Sequence, residues 1–311
     1  LTDIDKDWLS SRYARSFTGV DLVTGGVNRT YRVREGNAVF YLRLYRPFGR
    51  PLAQIEAEVA LLAGFPQSAH VGVSRPLATA DEAYVIDMPS GGESRHACLF
   101  ESADGDEITF DPAHMERFGA AIAHLHLAMP VRLEGAVRSL DPVAIVRNAM
   151  EALGGAPASR EVKGQEVMSL IEHAYLPALL RLDLGALPLG LCHGDPWTGN
   201  ARVANGRTVF FDFDEFGHGP LVLDLSTAAW HFAQHRNPEN KAMMDALVRG
   251  YDKVRPLSVA ERDALPIFIA LDEVRSLLFL ARYCTLSDET WAQAFEGATT
   301  AFSQVLRAGS K

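Results

Sequence analysis

Apolar and polar positions alternate between residues 20 and 45, where DLVTG, GVNRTYRVRE and NAVFYLRLYRP are separated by Gly25-Gly26 and Gly36-Asn37. A period of two, broken by glycine- and asparagine-bearing turns, predicts consecutive antiparallel strands. The period then lengthens. In QIEAEVALLAGF, Ile55, Val59 and Leu62 fall on one helical face, and Pro66 ends the run. Strand-like runs return at VGVSRPLAT, EAYVIDM and HACLFES, the last leading into the acidic stretch ADGDEI. From Asp111 onward helical spacing dominates. DPAHMERFGAAIAHLHLAM opens on Asp-Pro, a helix-start signal, and carries an apolar stripe through Phe118, Ile122 and Leu125. Helical patterns resume around 143–153, 163–182 and 240–307, interrupted by the strand-like pieces LGLCHG and ARVANGRTVFFDFDE. This order predicts an α+β chain of two lobes: a small β-rich N-terminal lobe with one helix, then a larger helical C-terminal lobe.

Composition narrows the function classes. The chain has 311 residues, 48% hydrophobic and 22% charged, with a formal net charge of −9, so it has the core of a globular protein and no overall basic field. Nucleic acid and anionic membranes are therefore not expected partners. The three cysteines, Cys98, Cys192 and Cys284, form no CxxC pair, which argues against a disulfide framework or structural zinc and fits a reducing cytoplasm. LTDIDKDWLSSRYARSF lacks the apolar core of an export signal, and no apolar run reaches spanning length, so neither export nor a membrane span is expected.

The chemistry concentrates in LCHGDPWTGNARVANGRTVFFDFDEFGHGPLVLDLSTAAW. Asp195 and Asn200 lie five apart in a segment that Pro196 and Gly199 favour as a loop, and Asp212 follows the strand-like RTVFF. Phosphoryl transfer to a hydroxyl needs a carboxylate that orients and deprotonates the acceptor, with oxygen ligands for the magnesium that neutralises the phosphates. Asp195 suits the first role, and Asn200 with Asp212 the second. Asp195 alone is one acid among 39, so the weight rests on the composite: HGDxxxxN, then DFD, then GP and DL, each polar within an apolar frame.

That composite resembles the aminoglycoside phosphotransferase and choline kinase superfamily, which has a protein-kinase-like fold and pairs an HGD-type catalytic loop with a metal-binding (I/F)D(F/W) segment. GYDKVRPLSVAERDALPIFIALDEVRSLLFLARY is similar to bacterial homoserine-kinase-like members, and DFDEFGHGP to the stress-response-kinase branch. The resemblance implies a nucleotide-binding lobe at 1–97, a hinge at 98–104 and a catalytic and acceptor-binding lobe at 105–311. It makes Asp195 the catalytic base and Asn200 and Asp212 the magnesium ligands. His193 and Asp224 would anchor the loop, and Asp214 would be an ancillary acid. The nucleotide would be ATP, with GTP as the alternative.

On the nucleotide side, backbone groups near Gly25, Gly26 and Asn28 suit the approach of a phosphate. Arg43, in FYLRLYRP, stands where much of the superfamily has lysine; it brings a planar fork in place of a compact ammonium. Glu58 shares a face with Ile55 and Leu62, which aims it inward at Arg43, with Glu56 as second choice. HACLFES would be the hinge, with backbone groups of Glu101 and Ala103 for the adenine and Phe100 flanking the ring. Relatives of this kind place the acceptor beside the catalytic loop and C-terminal helices, which implicates Trp197, Trp230, Asp272, Glu273 and Arg275. Acids there would favour a cationic acceptor.

Other pairs are not promoted. His124 and His126, two apart on a helix, face different ways, so one is expected to pack and the other to be solvated. His231 and His235 lack further ligands, and Ser10, Ser11 and Ser94 lie in no GxSxG context. The expected activity is O-phosphorylation of a small polar metabolite such as an amino alcohol, a hydroxy amino acid like homoserine, or an aminoglycoside. A stress-response-type protein Ser/Thr kinase and a nucleotide-binding pseudokinase are the alternatives. Oligomeric state has no sequence signal.

Overall fold

The computed structural model describes residues 4–90, 93–233 and 238–308. In chain order its elements begin with α1 (Lys6–Tyr13), β1 (Gly19–Thr24), β2 (Arg29–Glu35), β3 (Ala38–Leu44), α2 (Leu52–Ala63), β4 (Val71–Val73), β5 (Ile86–Ser90) and β6 (Glu93–Glu101). Next come α3 (Pro112–Ala128), α4 (Pro142–Gly155), α5 (Val162–Leu170), α6 (Leu176–Leu180), β7 (Leu189–Cys192), β8 (Ala201–Ala204), β9 (Arg207–Phe210) and β10 (Gly217–Pro220). The chain closes with α7 (Val222–Ala233), α8 (Pro238–Val254), α9 (Val259–Tyr283) and α10 (Asp288–Ala308). These form two compact units: Leu1–Asp106 with Leu133–Val137 and Ala201–Phe211, and the remainder from Glu107.

The first unit is built on a five-stranded antiparallel sheet of order β1-β2-β3-β6-β5. Alternation sends Val20, Tyr31, Val33, Leu42, Leu44 and Leu99 to one face, where Leu9 and Tyr13 of α1 and the following Phe17 complete an apolar core. Arg43 points the other way and is the cross-strand neighbour of Cys98, as Tyr41 is of Phe100. VGVSRPLAT yields only the short β4, which joins a separate three-stranded sheet and pairs parallel with β9. Pro76 has no N–H for a ladder, while Leu77 N–H still bonds Leu99 O.

Asp-Pro signals open two helices of the second unit: Asp111 accepts His114 N–H at 2.9 Å before α3, and Asp141 accepts Ala144 N–H at 2.6 Å before α4. The apolar faces of α4, α9 and α10 share one core that includes Val146, Phe268, Leu271 and Phe302. Backbones of α3 and α8 touch without intervening side chains: a Cβ on Gly250 would lie 1.8 Å from Glu116 O, and one on Gly119 1.9 Å from Leu247 O. Gly250→Ala must push the helices apart. We expect a loss of about 1–3 kcal/mol, read as a lower urea midpoint at unchanged slope. Among the described residues, no helix is long and apolar enough to cross a membrane.

Candidate active site

β7 and β10 pair antiparallel, with Cys192 opposite Gly217, so the chain leaves β7 at His193 while β10 leads into α7. Asp224 sits in the first turn of α7, where the helix N-terminus favours a negative charge, and is fully buried. Its Oδ2 accepts His193 N–H at 2.7 Å and its Oδ1 accepts Gly194 N–H at 2.8 Å. Oδ2 also meets His126 Nε2 at 2.9 Å, and His126 Nδ1 meets the Tyr251 hydroxyl at 2.7 Å. Arg255 then donates to Tyr251 Oη at 3.2 Å and to Glu261 at 2.7 Å. Burial would raise the Asp224 carboxyl, yet the bond and charge of His126, with the Gly194 N–H, hold it below its usual range.

His126 is thus the buried member of the HLHLAM pair; His124 is half-buried rather than fully solvated. Ligand atoms of His126, Cys192 and Asp224 lie within 4.8 Å of one another. Both His126 nitrogens are already hydrogen-bonded, and the Cys192 thiol, pushed up by burial, points at the carbonyls of Gly219 and Pro220. The trio is a bonded core, not a metal centre.

The loop itself is tightly wound. Asp195 N–H donates to His193 Nδ1 at 3.2 Å, Trp197 N–H to Asp195 O at 3.0 Å, and Asn200 N–H to Trp197 O at 3.0 Å. The buried Asn200 donates through Nδ2 to Asp195 O at 3.0 Å and to Asp195 Oδ2 at 3.1 Å, leaving Oδ1 as the atom a cation would take. Gly194 has φ +86°, and a Cβ there would lie 2.0 Å from Glu215 O, so only glycine fits. His193 packs on the Phe213 ring, centroids 4.1 Å apart. Asp212 is exposed, with φ +64°, a conformation that costs a non-glycine residue energy and recurs at functional sites. Asp214 is buried, and Glu215 pairs with Arg138 at 2.5 Å. Burial pushes the Asp195 carboxyl up to about 7; Arg275 opposes this, while Asp212, Glu215 and Asp272 add to it.

Of the residues considered for the acceptor, Asp272 and Arg275 lie in a bonded network. Asp272 meets the hydroxyls of Ser226 and Thr227 at 2.7 and 2.8 Å and the Arg275 guanidinium at 2.6 Å. Arg275 also donates to Thr227 Oγ1 at 2.8 Å and to Gly194 O. Trp197, 36% exposed, lies tilted against His231 with ring centroids 5.2 Å apart, and Trp230 meets the same histidine edge-on at 5.1 Å. Trp230 Nε1 donates to Glu273 at 2.9 Å, and burial lowers His231 below its usual range. His231 joins this aromatic row through its contacts with Trp197 and Trp230, which its spacing from His235 does not announce; His235 lies outside the described residues.

In the first unit, Arg43 and Glu58 pair at 3.2 Å, both buried. Glu58 also binds Arg50 at 2.6 Å, a partner eight residues away with no sequence signature. Arg43 lies over the Phe100 ring at 5.4 Å, and Asn28 Oδ1 accepts Arg46 N–H at 2.9 Å, tying the loop that carries Gly25 and Gly26 to the end of β3. In the hinge segment Glu101 N–H donates to Arg75 O at 2.8 Å and its carbonyl accepts from Ser74 Oγ at 2.5 Å, which leaves that carbonyl a second lone pair.

A five-stranded sheet with a β3–α2 ion pair in one unit, and an Asp-Asn-Asp set beside an anchored loop in a helical unit, define a protein-kinase-like phosphotransferase. The chain belongs to the phosphotransferase enzyme family, whose model matches residues 21–257. It is 31% identical over 284 residues to an uncharacterized protein of Deinococcus radiodurans, covering 88% of this chain and 79% of that one. It is 30% identical over 172 residues to a homoserine kinase of Brucella ovis, covering 53% of this chain and half of the relative's length. Among solved structures, an amicoumacin kinase in complex with AMP-PNP, Ca2+ and Ami superposes with a TM-score of 0.74 at 17% identity, over 97% of this chain and 94% of that one.

Proposed function

We propose that the protein transfers the γ-phosphoryl group of ATP, with magnesium, to a hydroxyl of a small polar acceptor, and that Asp195 is the base. The observation that carries this is the Asn200 amide, which holds Asp195 through both its carbonyl and its carboxylate while presenting Oδ1. Asn200 and Asp212 offer oxygen atoms only, the donor set of a hard cation, and the acids that push Asp195 up are the charge such a cation would offset. Magnesium, when bound, would neutralise the phosphate oxygens. Everything else falls to the chain: the Asp195 carboxylate takes the acceptor proton, Asn200 keeps that carboxylate oriented, and Asp224 keeps the loop in register.

In the first unit the Arg43–Glu58 pair and the Gly25-Gly26 turn would hold the phosphates, and the backbone of Glu101 and Ala103 the base. The amicoumacin kinase, solved with an ATP analogue and a divalent cation, supports this reading of the nucleotide. For the acceptor, the row Trp197, His231 and Trp230 offers aromatic faces beside the Asp195 loop, with Glu273 behind Trp230. Aromatic faces and an acid favour an ammonium group, hence an amino alcohol, an amino acid such as homoserine, or an amino sugar. The test is ADP release from magnesium-ATP across panels of amino alcohols, hydroxy amino acids, aminoglycosides and uncharged sugars. Turnover with an ammonium-bearing alcohol is expected; turnover with protein substrates alone would overturn the small-molecule reading.

A further inference from the structure

Gly194 is gripped by opposite charges from two helices. Its N–H meets the Asp224 carboxylate from α7, and its carbonyl accepts from Arg275 Nη2 from α9. The peptide unit is planar, so the carbonyl of Gly194 and the N and Cα of Asp195 share one plane. Fixing that carbonyl fixes where the Asp195 side chain starts. Arg275 is itself held: Nη1 donates to Asp272 at 2.6 Å and to Thr227 at 2.8 Å, and Ser226 braces the far carboxylate oxygen of Asp272 at 2.7 Å. With its side chain only 15% exposed and three bonds made inward, Arg275 is built as a strut rather than as a contact for a diffusing ligand.

We infer that Arg275, seated by Asp272, Ser226 and Thr227, is a positioning residue that sets the plane of the Gly194–Asp195 peptide and hence the aim of the Asp195 carboxylate. This rests on Asp195 being the base. A lysine could not replace it fully, since one ammonium cannot follow the planar fork that reaches the Gly194 carbonyl, Asp272 and Thr227 together.

The experiment pairs two readouts on the whole protein. Hydrogen exchange of the 193–195 amides, measured without nucleotide or acceptor, reports the loop directly; ADP release from magnesium-ATP with the best acceptor of the panel reports turnover. Arg275→Met should speed exchange at 193–195 by about 10-fold or more while β3 and α4 exchange as in wild type. It should lower kcat by about 10- to 100-fold with KM for both substrates within about threefold. Arg275→Lys should recover part of both. Wild-type exchange in the loop, or a raised acceptor KM at unchanged kcat, overturns the inference. If Arg275→Met does not fold, Arg275→Lys decides alone: faster loop exchange supports it and wild-type exchange rejects it. Failure of the underlying reading shows elsewhere, as an Asp195→Asn variant that turns over normally, and leaves the exchange result standing.

Discussion

Asp195→Asn should lose phosphoryl transfer by about 10²- to 10⁴-fold while binding ATP nearly as well as wild type and melting at a higher temperature above pH 7. The loss follows from the proposed role: the amide keeps the shape and the Asn200 contact but cannot take a proton. The gain follows from the cost of the native charge. Burial, with Asp212, Glu215 and Asp272 nearby, raises the carboxyl to about 7 in the fold, against about 3.9 in an unfolded chain. Between those values the folded state binds more protons, so stability falls as pH rises, and above 7 the whole cost is present. Removing the charge therefore stabilises at pH 8, by at most a few kcal/mol at about 1.4 per unit of displacement, and has no such effect at pH 4. Turnover by wild type should rise with pH through about 7 at limiting magnesium, and the rise should move to lower pH as the cation is added. A flat rate from pH 5 to 8, with Asp195→Asn as active as wild type, would end the assignment of Asp195 as base.

How much of this could be read from the chain depends on whether the signal is local. Alternation between 20 and 45 announces β1 to β3, and the Asp-Pro dipeptides announce α3 and α4, because strand faces and helix caps are decided within a few residues. The inward turn of Glu58 is legible for the same reason: its helical face is shared with Ile55 and Leu62. Pairing partners are another matter. RTVFF reads as a strand, yet nothing in it says that β9 will run parallel to β4, more than a hundred residues earlier, and carry Ala201–Phe211 into the first unit. Likewise Asp272 and Arg275 read as charges available to a ligand; their i,i+3 spacing lets them meet each other, but only the fold reveals that they meet Ser226 and Thr227. The bonds that tie the Glu101 backbone to Arg75 and Ser74 are equally invisible before folding. Long-range partners have no period, so a buried charge is visible in sequence long before its neutraliser.

Asp224→Asn is expected to cost about 3–5 kcal/mol of stability, more than most single changes, because the carboxylate serves three donors at once. His193 N–H, Gly194 N–H and His126 Nε2 all converge on its two oxygens in a site with no exposure. An asparagine offers one acceptor and turns an NH2 toward a donor, leaving at least one buried N–H unmet. The pH dependence gives a second signature. The Asp224 carboxyl is held below its usual range, so its contribution is complete above about pH 4 and disappears as pH falls through the lowered value. Wild type should therefore lose stability steeply in acid, whereas Asp224→Asn, already without the anion, should show a shallower acid limb from a lower plateau. Urea midpoints from pH 3 to 8 check both statements. A variant within 1 kcal/mol of wild type at neutral pH would mean that the loop is held by other contacts, Arg275 foremost, and that the anchor at Asp224 is dispensable.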